Sequence, residues 1–383
     1  MPDSRLEAFF ASERAYHNSQ KQQESPSTTT TAMDNLSSIP VCYASCSIGC
    51  KPEHTLPKKL NVIAAAGFTA IELSMPDLLS FANIHLRPSQ QGDGKDEIGP
   101  YDYDDLVEAA RVVKSMCDSK SLKILILQPF ANFEGWEEGS EEREDAWRRV
   151  RGWVRIMEAA GTDMLQVGSS DTPAEKIGTD RSRFVKDLQE LADLLATKNC
   201  RVAYENWCWS THAPDWKDVW DICQKVDRPN FGLCLDTFQS AGGEWADPTT
   251  KSGLVEDGRS AEQVEKDWKA SCAALSSTIP AHKIFFLQIS DAYKPRQPFD
   301  SDVDESGTRP RGRWSHDFRP LPFKGYLPTV DFAKAVLGTG FRGYFSYEVF
   351  DGGPDGTGLD YEMDDFAKEA MECQKRLLSE CAK

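Results

Sequence analysis

The sequence predicts an α/β protein, a single closed (β/α)8 barrel behind a polar N-terminal extension, and three observations carry that expectation. From Ile39 onward, eight short apolar runs alternate with amphipathic helical stretches. Runs apolar on both faces belong to a parallel sheet covered by helices, and eight repeats suit a closed barrel. Connections from each helix to the next run are short, often one glycine and a few residues, whereas those after runs two, six and seven extend to tens of residues. In such barrels the loops after strands build the functional site and the loops before strands stabilise. Finally, the last four runs close on oxygen-bearing side chains: Arg201-Val-Ala-Tyr-Glu205, Phe231-Gly-Leu-Cys-Leu-Asp236, Ile284-Phe-Phe-Leu-Gln288 and Tyr344-Phe-Ser-Tyr-Glu348. Parallel strands bring all four ends to one edge.

The elements follow in order. Val41 to Ser45 reads as strand one, and Leu56, Leu60, Ile63 and Ala64 mark the helix after it, closed by Gly67. Ala70 to Ser74 is strand two, and a long loop leads to a helix at Tyr103 to Met116. Lys123 to Gln128 is strand three, stopped by Pro129, and its helix spans Glu141 to Ala160 before Gly161. Asp163 to Gly168 is strand four, with a helix at Arg181 to Thr197. The helices paired with strands five to eight are Pro214 to Val226, Ala261 to Leu275, Val330 to Leu337 and Met363 to Leu378. A doubly wound open sheet competes, but it usually carries a glycine-rich phosphate turn after strand one, which Ser47-Ile-Gly49 matches poorly.

Residues 1–38 read as a disordered polar extension, with a short amphipathic start at Leu6 to Phe10, and residues 39–383 as the barrel domain. The extension lacks the apolar core of a secretory signal, and no run of about 18 apolar residues marks a membrane span. A formal net charge of −17 argues against a nucleic-acid surface, which needs clustered Lys and Arg. Eleven cysteines scattered singly suit buried thiols in a reduced compartment, so a cytoplasmic protein is expected. Cys42, Cys46 and Cys50 are evenly spaced, but no partner cluster follows to complete a zinc site. Apolar helix faces leave room for a homodimer.

Glu205, Asp236, Gln288 and Glu348 cannot share a small space without a cation, because like charges repel strongly when desolvated. An all-oxygen set suits Mg2+ or Mn2+, with Co2+ a further option, better than structural zinc. Such a metal can chelate a neighbouring hydroxyl and ketone, so the expected partner is a small polar hydroxy-ketone. Each carboxylate taken alone also fits a helix cap or a salt bridge. Glu72 on strand two is out of phase with its apolar neighbours and reads either as an acid or base at the mouth or as the partner of a buried Lys or Arg. His212 is a candidate general base in the loop after strand five. Arg319 and His316 lie in the long loop after strand seven, where an arginine can grip a substrate carboxylate through a bidentate pair or belong to a solvated segment from Arg309 to Arg319. Trp207, Trp209, Phe130, Phe133 and Phe238 are candidate pocket walls, with core packing the competing account.

At these residues the chain resembles the xylose isomerase-like TIM barrels, and within them the fungal 3-dehydroshikimate dehydratases. The motifs are Ile71-Glu-Leu, Leu127-Gln-Pro-Phe130, Phe133-Glu-Gly135, Tyr204-Glu-Asn-Trp-Cys-Trp209, Gly232-Leu-Cys-Leu-Asp-Thr-Phe238, Leu287-Gln-Ile and Tyr347-Glu-Val-Phe350. The resemblance implies that Glu205, Asp236, Gln288 and Glu348 hold the metal and that 3-dehydroshikimate loses water to give protocatechuate in quinate catabolism; Gln128, Phe130, Trp207, Gln239 and His316 are the candidate substrate contacts. The chain departs from many bacterial relatives in having Gln239 and Ala131 where they carry His and Arg, and Trp207 where some superfamily members carry His. A sugar isomerase or ketose 3-epimerase using Glu205 and Glu348 as its acid and base, and a barrel that binds without catalysing, are the competing readings.

Overall fold

The computed structural model describes residues 36–87 and 97–383. The segment at Leu6 to Phe10 lies outside the described residues; of the polar extension, Leu36–Ser38 forms a 3-10 turn. Eight strands close into a barrel: β1 (Val41–Ala44), β2 (Ala70–Ser74), β3 (Lys123–Phe130), β4 (Met164–Gly168), β5 (Arg201–Glu205), β6 (Phe231–Asp236), β7 (Ile284–Ile289) and β8 (Phe345–Tyr347). Neighbours pair in parallel in chain order, and β8 returns to β1 through Cys42 opposite Ser346. Strand three runs on through Pro129 to Phe130, contrary to the expected stop. A register shift between Leu127 and Phe130 lets the strand tolerate a residue without an N–H.

The eight expected outer helices are present as Leu56–Ala65, Tyr103–Asp118, Glu141–Ala160, Arg181–Ala196, Trp216–Val226, Ala261–Thr278, Thr329–Gly338 and Met363–Cys381. Ser140, Asp180, Asp215 and Ser260 each cap one of them by accepting a first-turn N–H, and Gly161 closes its helix in the left-handed region at φ +70°. No helix of the described residues is long and apolar enough to cross a membrane.

The alternation is less strict than the sequence suggests. Extra helices at Met75–Leu86, Ala174–Ile177, Thr237–Glu244 and Pro310–Asp317 follow β2, β4, β6 and β7. Local caps start two of them: Ser74 accepts from the Asp77 N–H, and the Asp236 carboxylate accepts from the N–H groups of Phe238 and Gln239. The arginine-rich segment at Arg309 to Arg319 is likewise ordered, since Pro310 opens a helix and Phe318–Arg319 pairs antiparallel with Phe350–Asp351. This two-stranded ribbon lies outside the barrel sheet.

The barrel is filled by an apolar plug that includes Cys42, Ala70, Ile126, Met164, Ala203, Cys234 and Phe286. Side chains two apart on a strand share a face. Two positions further along, all but Cys42, which is followed by Ala44, lead to polar residues, namely Glu72, Gln128, Gln166, Glu205, Asp236 and Gln288, so a polar layer sits directly above the apolar one. Cysteines contribute to the plug as small buried side chains, and all eleven are free.

Candidate active site

The polar layer is buried: Glu72, Asp236 and Gln288 are 0 % exposed, Glu205 1 % and Glu348 7 %. Glu205, Asp236 and Glu348 each offer a carboxylate oxygen, and these oxygens lie within 4.8 Å of one another. Gln288 stands beside Asp236 in the register of β6 and β7. Each acid is held by its neighbours. Glu205 accepts through Oε2 from Gln166 and from Trp207 Nε1 (3.1 Å), while its Oε1 is buried without a hydrogen-bond partner. Asp236 uses Oδ1 to cap the Thr237 helix and Oδ2 to meet Arg319 Nη2 at 2.6 Å. Glu348 accepts from Gln128 Nε2 at 3.3 Å and pairs with Arg319 Nη1 at 3.0 Å.

Two of these acids, Asp236 and Glu348, thus share one guanidinium. Burial drives the Glu205 carboxyl well above its ordinary range, with Glu348 and Asp236 adding repulsion. Glu348 is pushed up to about 7 by burial, against the pull of Arg319, and Glu72 to about 8 by burial and by Glu348. Asp236 is raised by burial and drawn back by Arg319. Burial is the leading cause in every case, and for Glu205, Asp236 and Glu348 the single charge of Arg319 offsets it only in part. The orphaned Glu205 Oε1, the clustered carboxylate oxygens and the hard oxygen donors fit a divalent cation such as Mg2+ or Mn2+.

Above the cluster opens a cavity of about 310 Å3, and Gln128, Trp207, Gln239, His316 and Arg319 line it together with Glu205 and Glu348. Trp207 lies against Gly168, where a Cβ would come within 2.2 Å of the indole, and stacks on Trp209 at 5.2 Å. Five of the residues expected at the site, Glu72, Phe130, Phe133, His212 and Phe238, do not line the cavity. His212 does not line the cavity: its Nε2 sits 2.8 Å from Glu134, its ring stacks on Phe184, and its side chain is 6 % exposed. Phe130 shares the parity of the lining Gln128 but packs on Trp153, with Phe133 on Trp147, because the register shift between Leu127 and Phe130 breaks the alternation at the end of β3. Phe238 packs beneath the Arg319 guanidinium. Among the described residues Glu72 has neither a Lys nor an Arg partner; it accepts from Gln288 Nε2 at 2.9 Å and from Ser346. Gln166, which grips Glu205, was not anticipated, although a lone polar residue at an inward position of β4 was a readable signal. Asp171 from the loop after β4, Ser315 from the Pro310–Asp317 helix and Phe350 from the ribbon also line the cavity.

The closed parallel barrel with an acidic cluster at the carboxyl ends of its strands defines an α/β-barrel protein built around a cation-ready mouth. The chain belongs to the xylose isomerase-like TIM barrel family, whose model matches residues 60–377. It is 33 % identical over 327 residues to a 3-dehydroshikimate dehydratase of Neurospora crassa, an alignment covering 81 % of this chain and 86 % of that protein. A 3-dehydroshikimate dehydratase of Pseudomonas aeruginosa is 30 % identical over 302 residues, and the chain spans 37 % of that longer protein. Among solved structures, a xylose isomerase-like TIM barrel/4-hydroxyphenylpyruvate dioxygenase fusion protein superposes with a TM-score of 0.63 at 26 % identity, over 88 % of this chain and 42 % of that one. A D-allulose 3-epimerase from Methylomonas sp. shares the fold at a TM-score of 0.54 and 16 % identity, covering 88 % of this chain and 98 % of that one.

Proposed function

We propose that the chain is a divalent-metal-dependent 3-dehydroshikimate dehydratase, a hydro-lyase that releases protocatechuate and water. The observation that carries this reading is its 33 % identity across 86 % of the Neurospora crassa enzyme. The buried acidic set agrees with it. Glu205, Asp236, Gln288 and Glu348 are the proposed holders of the cation. When bound, the cation would supply a Lewis acid that draws electron density from a ketone and so acidifies the neighbouring C–H.

The remaining roles belong to the chain's own side chains. Trp207, held by Glu205 and stacked on Trp209, offers a flat wall for a six-membered ring. Gln239 accepts the Cys208 N–H through Oε1, which leaves its amide N–H groups for a substrate oxygen. His316 is exposed at the cavity rim, and it replaces His212 as the proposed proton carrier. It would take the proton from carbon and return it to the departing hydroxyl, so that one water leaves and the charge balances. Glu72 has a supporting role through Gln288.

The test is the rise of protocatechuate absorbance on mixing purified protein with 3-dehydroshikimate and Mg2+, Mn2+ or Co2+. Product is expected only with metal, is abolished by EDTA, and is lost in Glu348→Gln. Metal binding without product would sink the dehydratase reading and turn attention to ketose epimerisation, in which Glu205 and Glu348 would be the acid and base. Failure to bind any of the metals would leave a non-catalytic barrel.

A further inference from the structure

Arg319 is expected from sequence to grip a substrate carboxylate, yet its guanidinium is already spoken for. Nε donates to Ser290 Oγ at 3.0 Å, Nη1 donates to Ser315 Oγ at 3.3 Å and pairs with Glu348 at 3.0 Å, and Nη2 meets Asp236 at 2.6 Å. Every nitrogen has a protein partner, so no edge presents the two free donors that a bidentate carboxylate pair needs. The side chain is also immobilised. It is 1 % exposed, lies over Phe238 at 4.6 Å and Phe350 at 5.3 Å, and its backbone pairs with Phe350 in the ribbon.

The two acids it bridges come from different strands and are two of the three carboxylates that converge within 4.8 Å. The third, Glu205, has a buried oxygen, Oε1, with no hydrogen-bond partner. One positive charge therefore sits permanently beside the acidic set, sharing Asp236 and Glu348 with whatever cation Glu205 completes.

We propose that Arg319 is a built-in counter-cation of the acidic centre: it keeps Asp236 and Glu348 in place when no metal is bound and lowers the affinity of the centre for a divalent ion. The proposal rests on the metal-centre reading above. It makes Arg319 a positioning residue whose charge opposes that of the metal, and leaves recognition of the substrate's own charge to other groups at the mouth. Two like charges that share the same carboxylates in a desolvated site repel, and the repulsion is lost when the guanidinium is replaced by a neutral side chain.

Titration of the full chain with Mn2+, followed through the electron paramagnetic resonance of the free ion, measures this without reference to activity. Arg319→Met is expected to bind Mn2+ at least about tenfold more tightly than the native chain. Arg319→Lys, which keeps the charge, should stay within about threefold. Far-UV circular dichroism establishes that the variants are folded, and if Arg319→Met is not, Arg319→Gln reads the same loss of charge. Unchanged or weaker Mn2+ binding in a folded neutral variant would overturn the proposal, as would equal tightening in the lysine variant. If neither the native chain nor any variant binds Mn2+, the metal-centre reading itself falls and the proposal falls with it. Binding confined to the neutral variants would support it most strongly.

Discussion

Glu72 of β2 accepts a 2.9 Å hydrogen bond from Gln288 of β7 across the barrel lumen, and the same carboxylate accepts from Ser346 of β8. The bond turns the Gln288 amide so that its nitrogen faces Glu72 and its oxygen accepts from the Cys234 thiol at 3.1 Å. Replacing Glu72 by leucine takes the acceptor away from the buried Gln288 amide nitrogen and the buried Ser346 hydroxyl. Glu72→Leu is therefore expected to lower unfolding stability by about 1–3 kcal/mol. Glu72→Gln, which keeps an acceptor oxygen, should lose less, and urea denaturation followed by tryptophan fluorescence distinguishes the two.

Gly168 sets the position of the cavity wall. A methyl group there would meet the Trp207 indole at 2.2 Å and push it from its hydrogen bond to Glu205. Gly168→Ala is expected to reduce kcat/KM by roughly tenfold to a hundredfold, the scale expected when a positioned group moves by about an ångström. Steady-state kinetics with 3-dehydroshikimate check this, and an unchanged kcat/KM would remove Trp207 from the positioning role.

Asp291 ties the loop that follows β7 to the strand's end. Its oxygens accept N–H bonds from Ala292 and Leu327 at 2.8 Å, Phe323 at 3.1 Å and Gly325 at 3.2 Å. Asp291→Ala strands these donors, and a loss of about 2–4 kcal/mol is expected, several hydrogen-bond penalties partly relieved by water. The midpoint of chemical denaturation measures it. A midpoint equal to that of the native chain would show that the loop does not depend on this carboxylate.

The Glu134 and His212 pair predicts a pH dependence of stability. Burial alone would raise the Glu134 carboxyl, but the His212 hydrogen bond, the charge of His212 and the Ser170 N–H bring it below its ordinary value of 4.5. A carboxyl depressed in the folded state stabilises above its unfolded pKa, and that contribution disappears as pH falls through the lower folded value. The native chain should accordingly lose stability below about pH 4.5 by more than Glu134→Gln does. Parallel urea titrations from pH 7 downward test the difference, and coincident slopes would count against the pair.

Much of the site was legible because strand side chains repeat with a period of two. Glu205, Asp236, Gln288 and Glu348 could be brought to one edge from their places at strand ends, and the three carboxylates among them each offer an oxygen within 4.8 Å of the others. The inward parity of Glu72 was readable for the same reason, whereas its partner was not. Phe130 carried a false signal, since an aromatic residue at the end of a strand suits a pocket wall and a helix-facing core equally well. His212 was misplaced because its loop position says nothing about Glu134, which lies in a separate loop after β3.

The sequence by itself determined the barrel, its chain order and the oxygen-rich character of its mouth, because apolar periodicity and strand-end chemistry are local properties repeated along the chain. Tertiary structure alone decided which polar groups are spent on one another. Arg319 meets Asp236 and Glu348 only because a ribbon joins its loop to Phe350, and His316 reaches the rim only because Pro310–Asp317 folds as a helix over the cavity. Those pairings depend on the path of long loops through space, where a charge finds its partner by distance and burial and the spacing of residues along the chain carries no record of it.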